Sequence, residues 1–475
     1  MSIYFKDENY TLYHGKMEEV LKEIEENSID SIITDPPYDL TSITKRFGSE
    51  NASPCKEGVD GSFARLSKGF MGKTWDGTGI AFKKETWEEC LRVLKPGGYL
   101  LAFGGTRTFH RMAVAIEDAG FEIRDVIMWL YGSGFPKSHS VALDIDKKLG
   151  CGNRGHRIAV ASRTHPDGTI EPNGEMLEEY EPRTELGKQW KGWGTALKPA
   201  YEPIIVARKP LCGSVADNIM TYGVGAINID ECRVGDEFRT QFSGRGLSQS
   251  TVYNSFNQEN AHWETVLGRF HANIITDGSE EVASGMPYTK STGGLPNYEI
   301  SNATPIVDFG VSQKSGFHFE DEGSAMRYFY CAKASKQDRD EGLDEFIEEQ
   351  TTDGCIRSNI ESARIFGANS ALRKNTHPTV KPTDLMKYLI RLVTPTGGVV
   401  LDPFNGSGST GKACMFENRE HNKGYYYIGI EMTDEYLPIA KARIDYAIYK
   451  YEYDAEKLDE EMKKTGQLNL FDFEE

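Results

Sequence analysis

Two peptides, far apart in the chain, each run a stretch of apolar or β-branched residues into a sharp turn. Ser31-Ile32-Ile33-Thr34 leads into Asp35-Pro36-Pro37-Tyr38, and Gly398-Val399-Val400-Leu401 leads into Asp402-Pro403-Phe404-Asn405-Gly406-Ser407-Gly408. Runs of this kind, without polar alternation, read as parallel strands buried on both faces. In open α/β sheets, ligands bind just past the carboxyl ends of such strands. The pair therefore constrains the chain to an α/β fold with a site at one end of its sheet. The first turn offers a carboxylate, backbone carbonyls and an aromatic face. The second is glycine-rich and opens a helix.

The rest of the chain fits around these strands. Residues 10–130 alternate strand (10–13, 29–34, 99–103, 124–131) with helix (17–24, 87–94, 108–119). The helix at 87–94 is closed by Lys95-Pro96-Gly97-Gly98, a basic residue followed by a proline and glycine stop. Such alternation implies a mostly parallel sheet. From 132 to 187 the chain is polar and glycine-rich, and 203–207 reads as one more strand. From 211 to 323 there is no sustained helical period; Gly, Ser, Asn and Thr are interleaved with aromatics, which reads as an irregular module or a set of functional loops. The α/β pattern resumes at 327–333. It continues through a helix at 385–393, the strand before Asp402, a helix from Gly411, the strand 427–431 and a helix from Glu435.

Composition narrows the function classes. No apolar run reaches the ~20 residues of a membrane span, and the first residues lack a basic flank followed by an apolar stretch. The eight cysteines contain no C-x-x-C pair, so neither a disulfide framework nor a metal site is expected, and a cytoplasmic location is. The net charge of −18 speaks against a surface coated in positive charge, yet a local basic cleft can still steer a polyanion. Candidates for such contacts are Lys188, Lys191, Lys198, Arg208 and Lys209, with Arg239 and Arg245 further on.

The two turns have a chemical logic. In 402–408 the glycines let backbone approach a ligand closely, and the following helix offers free N–H groups. Glu431 closes a strand roughly twenty residues beyond the loop, the spacing at which a carboxylate can accept ribose hydroxyls. An adenosine-containing cofactor is the implied ligand. In Asp35-Pro36-Pro37-Tyr38 the prolines carry no N–H, so carbonyls are left without competing donors. The Asp35 carboxylate and the Pro36 carbonyl together suit an exocyclic NH₂ with its two donors, and Tyr38 offers a face for a flat ring.

These residues, in this order, resemble the beta-class DNA amino-methyltransferases, in which D-P-P-Y precedes an F-x-G-x-G cofactor loop. His377-Pro378-Thr379-Val380-Lys381-Pro382 is similar to the family's H-P-T-x-K-P signature. Arg92-Val93-Leu94-Lys95-Pro96-Gly97-Gly98 is similar to its R-V-L-K-P-G-G helix end. Gly192-Trp193-Gly194-Thr195-Ala196-Leu197-Lys198-Pro199-Ala200-Tyr201-Glu202-Pro203 looks like phage and prophage members. The resemblance implies a Rossmann-like α/β methyltransferase domain with a mixed, mostly parallel sheet. Its catalytic half is 1–210, with an irregular insertion at 132–187. An irregular target-recognition region follows at 211–323, then the cofactor-binding half at 324–450 and an acidic C-terminal helix and tail at 451–475.

The resemblance further implies a catalytic role for Asp35, Pro36, Pro37 and Tyr38. Contacts to S-adenosylmethionine are implied for Asp35, His377, Thr379, Lys381, Asp402, Phe404, Gly406, Gly408, Thr410 and Glu431. The implied substrate is double-stranded DNA with its target base flipped out, and the family's D-P-P-Y leans toward N6 of adenine over N4 of cytosine. RNA, a protein amide, or a non-catalytic DNA-recognition module are the remaining alternatives. The chain is expected to act as a monomer or homodimer. One departure stands out: many relatives carry an acidic residue after the glycine of the turn at His14-Gly15, where this chain has Lys16. Finally, Gln467-Leu468-Asn469-Leu470-Phe471 resembles the Q-L-x-L-F peptide that docks on bacterial sliding clamps, with Gln467, Leu468, Leu470 and Phe471 as its anchors.

Overall fold

The computed structural model describes residues 1–39, 78–132, 134, 138–151, 162–164, 170–172, 180–243, 262–291, 321–332, 335–347, 349–352, 355–356 and 371–465. A ten-stranded sheet runs through it. In chain order the strands are β1 (Ser2–Lys6), β2 (Tyr10–His14), β3 (Ile29–Thr34), β4 (Leu94–Phe103), β5 (Glu122–Leu130), β6 (Tyr201–Arg208), β7 (Ile274–Thr276), β8 (Tyr330–Cys331), β9 (Val399–Asp402) and β10 (Tyr426–Glu431). In space the order is β1-β2-β10-β9-β3-β4-β6-β5-β7-β8. Neighbours run parallel from β2 to β4 and from β5 to β8. β1 at one edge and β6 between β4 and β5 run antiparallel. The sheet is thus mixed and mostly parallel, in an α/β fold.

Helices cover both faces. Leu100 and Ala102 of β4 pack with Trp87, Cys90 and Val93 of α1 (Lys84–Val93) and with Met112 and Ile116 of α2 (Phe109–Asp118). Their alternates Tyr99, Leu101 and Phe103 share the other layer with residues of α4 (Thr383–Val393), α5 (Ser409–His421) and α6 (Tyr436–Thr465), the intervening helix α3 (Val215–Tyr222) being described below. This is the period-two consequence of a strand buried on both sides. α5 is enclosed nearly all round, so even its charged residues Lys412 and Glu417 are fully buried. Each is paired: Lys412 with Asp338 at 2.7 Å and Glu341 at 2.9 Å, Glu417 with Arg391 at 2.5 Å. Burial of an unpaired charge would be far costlier.

Two stretches carry more regular structure than their sequences announce. In the nominally irregular 211–323, α3 starts at a capping box between Ser214 and Asp217 and stops at Gly223, whose φ is +75°. Only Asn218 of α3 is buried, while Val215, Ile219 and Met220 are exposed, so its short apolar face is not what holds the helix in place. β7 lies in the same stretch yet belongs to the central sheet, paired with β5 through Ile275↔Trp129. Between 132 and 187, the helix Val141–Lys148 is capped by Ser140. It is tied down by Asp146, which accepts hydrogen bonds from the backbone of Arg183 and Thr184 and from the hydroxyls of Thr184 and Tyr180. Among the described residues, no helix is long and apolar enough to cross a membrane.

Candidate active site

β3 and β9 lie side by side in register Val400↔Ser31 and Leu401↔Ile32. Asp30 locks them together, accepting from Val399 N at 2.8 Å while Lys95 Nζ sits 2.7 Å from its other oxygen. From this pair the chain moves outward in opposite directions, β3 to β4 and β9 to β10. That is a topological switch point, where the loops diverge and leave a crevice. The crevice is a cleft of about 1570 Å³. Asp35, Pro36, Pro37 and Tyr38 line it, as do His377, Thr379, Lys381, Asp402, Phe404, Gly406, Thr410 and Glu431. Gly408 does not. Its φ is +74°, and a side chain there would press on Ala440 at 3.0 Å, so it serves the packing of α5 against α6.

On the β3 side, Lys381 Nζ lies 2.5 Å from Asp35 Oδ2 and 3.4 Å from Glu202 Oε2, and the Tyr38 hydroxyl donates to Glu202 Oε2 at 3.0 Å. Asp35 Oδ1 is buried and has no protein partner. Burial pushes the Asp35 carboxyl above the ordinary carboxylate range; Lys381 pulls it back in part, Glu202 pushes it up again, and the Tyr38 hydroxyl, which also reaches the carboxyl, lowers it a little. Burial alone would lower Lys381, but the two carboxylates beside it more than reverse that and hold it above its ordinary value. Burial and the same carboxylates hold the Tyr38 phenol protonated, well above its usual value. The backbone of Tyr38 is fixed by Thr108, whose hydroxyl donates to its carbonyl at 2.9 Å.

On the β9 side, Asp402 accepts from the hydroxyls of Thr34 and Thr410, both at 2.6 Å, and from Phe404 N at 3.1 Å. Burial raises it to about 6 despite these bonds. Gly406 has φ +52°, and a side chain there would meet His377 Nε2 at 2.7 Å. Glu431 accepts from Gly406 N at 2.7 Å and from Thr433 N at 2.8 Å, one bond per oxygen, and burial lifts it to about 7. A carboxylate has roughly four acceptor positions, so each oxygen keeps capacity for a further donor. Lys16 lines the cleft, and Glu18 lines it two residues later, so an acidic side chain is present at that end after all.

Two residues of this site are not evident from the motifs. Glu202 opens β6, and because β6 is antiparallel its first residues lie beside the carboxyl ends of β4 and β5, with Ile204 opposite Phe103 and Tyr201 opposite Leu130. Glu202 falls within the Gly192–Pro203 segment quoted above, where no role attaches to it, and stands as a carboxylate at the mouth of an otherwise apolar strand. Arg443, fully buried on α6, donates to Ser407 O at 2.8 Å and to the Ser407 and Ser409 hydroxyls at 3.1 Å, fixing the glycine loop from behind.

The basic residues do not form one cluster. Lys188 and Lys191 are on the surface beside Glu185 (2.7 Å) and Glu181 (2.6 Å). Arg208 is buried against Glu122 at 2.6 Å, and Lys209 donates inward to Asn27 and the Leu94 carbonyl. Their hydrogen-bond partners turn these two inward, which corrects the expectation that 188–209 presents a single positive face. Lys198 alone of the five lines the cleft. Arg239 sits in the hairpin of Val234–Ser243 with His262–Arg269, opposite Val266. Arg245 and the tail residues Gln467, Leu468, Leu470 and Phe471 lie outside the described residues.

A family profile described as DNA methylase matches residues 29–217 and 253–442, most of the chain and both sides of the cleft. The chain belongs to this DNA methylase family. It is 28% identical over 222 residues to the Type II methyltransferase M.HindIII of Haemophilus influenzae, a match covering 44% of this chain and 61% of that one. It is 39% identical over 94 residues to the DNA adenine methyltransferase YhdJ of Escherichia coli, covering 20% of this chain and 29% of that one. The matched stretches thus span less than two thirds of either relative. A crystal structure of M1.HpyAVI aligns over 92% of the chain at 14% identity with a TM-score of 0.33, too loose a likeness to add to the fold described above.

Proposed function

We propose that this member of the DNA methylase family transfers a methyl group from S-adenosylmethionine to the N6 amino group of adenine in double-stranded DNA. One observation carries the reading: Asp35 Oδ1, buried and unpartnered, stands in the same cleft as the glycine loop and Glu431. The cleft fits the cofactor on its own terms. Gly406 leaves space that a side chain would fill, and Glu431 retains acceptor capacity for ribose hydroxyls. In this reading Asp402, Phe404, Gly406, Glu431, Thr379 and His377 hold S-adenosylmethionine, which supplies an electrophilic methyl group when bound. Thr410 acts at one remove, through its bond to Asp402.

The chain's own residues do the rest. A base stacked in a duplex cannot reach the cleft, so it enters flipped out. Tyr38 stacks on it. Asp35 Oδ1 and the Pro36 carbonyl accept its two amino hydrogens, which turns the nitrogen lone pair toward the methyl group. Lys381 holds the other Asp35 oxygen. Methylation leaves a surplus proton on the amino nitrogen, and Asp35, raised by burial, is the acceptor at that point. Lys188, Lys191, Lys198, Arg239 and Arg245 are the candidate phosphate contacts, and residues 211–323 the candidate reader of the target sequence. A cytoplasmic setting follows from the substrate, and the 467–471 peptide would dock on a sliding clamp; titrating that peptide against a bacterial clamp tests the docking, and no binding removes it.

The activity is tested by incubating the protein with methyl-labelled S-adenosylmethionine and DNA from a methylation-deficient host, then analysing the nucleosides by mass spectrometry. N6-methyladenine is the expected product. N4-methylcytosine would overturn the choice of base, and label confined to RNA or protein, or no label at all, would overturn the reading itself.

A further inference from the structure

We propose that Glu202 is a positioning residue for methyl transfer. It takes the Tyr38 hydroxyl and shares the Lys381 ammonium, and so keeps Asp35 Oδ1 open toward the target amino group. The inference rests on the activity proposed above but concerns a residue outside both motifs. Three facts converge on it. Glu202 Oε2 is an acceptor for Tyr38 at 3.0 Å, which anchors the far end of the ring that would stack on the base. The same oxygen lies 3.4 Å from Lys381 Nζ, whose nearer partner is Asp35 at 2.5 Å. Asp35 Oδ1, the atom left over, has no partner in the protein.

The arithmetic of donors explains the design. Lys381 has three N–H donors and, in a pocket this closed, only a few acceptors within reach. With a single carboxylate beside it, the ammonium is free to swing across both Asp35 oxygens and so to occupy the position needed by the substrate. A second carboxylate within 3.4 Å gives the ammonium another acceptor while its nearer bond stays on Oδ2. Glu202 also adds negative charge beside Asp35, which favours the protonated carboxyl. The charged and titratable groups facing Asp35 are Lys381, from the segment before α4; Glu202, from β6; Tyr38, in its own turn; and Asp402, at the end of β9.

The test compares wild type with Glu202→Gln and Glu202→Ala, using labelled methyl transfer to unmethylated DNA across a pH series and calorimetric S-adenosylmethionine binding. Gln keeps the size and one acceptor but loses the charge, so its fold is preserved when the alanine variant is unstable. We expect kcat to fall by about tenfold or more in Glu202→Ala and less in Glu202→Gln, with cofactor affinity within about twofold of wild type. The acidic limb of the rate profile should move to lower pH in both, because the charge that raised Asp35 is gone. Wild-type kcat and an unmoved limb would overturn the proposal. So would a fall in kcat with an unmoved limb or with cofactor binding lost in parallel, since either marks a merely structural residue. If wild type itself transfers no methyl group, the activity fails and not the role of Glu202.

Discussion

Asp35 divides its two oxygens between an internal cation and an open position. Replacing it with alanine removes the open acceptor while Lys381 keeps Glu202 as a partner. Methyl transfer by Asp35→Ala should fall ~10²-fold or more with cofactor affinity largely intact, by the labelled assay and by calorimetry; turnover near wild type would sink the catalytic assignment. Gly406→Val should weaken S-adenosylmethionine binding, because a β-branched residue is strained at φ +52° and its side chain would strike His377. Unchanged affinity would show that the ligand lies elsewhere. Glu431 supports a pH prediction. Its value in the fold, about 7, exceeds the ordinary 4.5, so the folded state binds the proton more tightly than the unfolded one. Stability from this group is therefore full below about pH 4.5 and lost as the pH rises to about 7. Thermal melts of the cofactor-free protein should show Glu431→Gln gaining on wild type across that window, then holding level; a difference that is flat with pH would refute it. The constant cost of exchanging an oxygen for NH₂ cancels in the slope. Asp35 and Gly406 were legible because each stands at a fixed offset within a short peptide, and Glu431 because it closes a strand at a known distance beyond the glycine loop. Glu202 was not, since no spacing in the chain says that positions 35, 202 and 381 meet.

At the scale of elements, what could be read depended on burial. The strands around the site and helices α1, α2 and α4 have apolar runs or periods long enough to register, while α5 was marked by the glycine loop that opens it. α3 escaped because it is held by a capping box and by Asn218, which donates to the carbonyls of Pro96 and Val224, and not by an apolar stripe. β7 escaped because three residues carry no period. The glycine loop shows how elements cooperate on a site: α6 reaches it through Arg443, and α5 begins from it at Gly408. Arg443→Met fills the same space but leaves the Ser407 carbonyl without its donor. We expect a loss of about 1–3 kcal/mol of stability, measured by denaturant unfolding, with weaker cofactor binding. A variant as stable as wild type would mean that the loop holds its shape unaided.

For the molecule as a whole, a charge of −18 has to coexist with the polyanionic substrate proposed for it. Distributed lysines do not solve this, since Arg208 and Lys209 turn inward and Lys188 and Lys191 sit beside glutamates. Lys198 at the cleft is the better-placed cation. DNA affinity should fall steeply with salt, and Lys198→Ala should reduce the log–log slope by about 1, the signature of one phosphate contact. A flat salt response, or a slope unaltered by the substitution, would move the duplex away from this rim. The strand order has a consequence of another kind, for biosynthesis. β2 and β3 are neighbours in the chain but are kept apart in the sheet by β9 and β10, which come from its other end. At ~5–20 residues per second, a ribosome needs on the order of tens of seconds to deliver them after β3 has emerged. Until then β2 and β3 each present an unpaired edge, the kind of surface that invites pairing with another chain. A nascent chain is therefore at its most aggregation-prone over that interval, and a chain cut before Val399 leaves those edges permanently open.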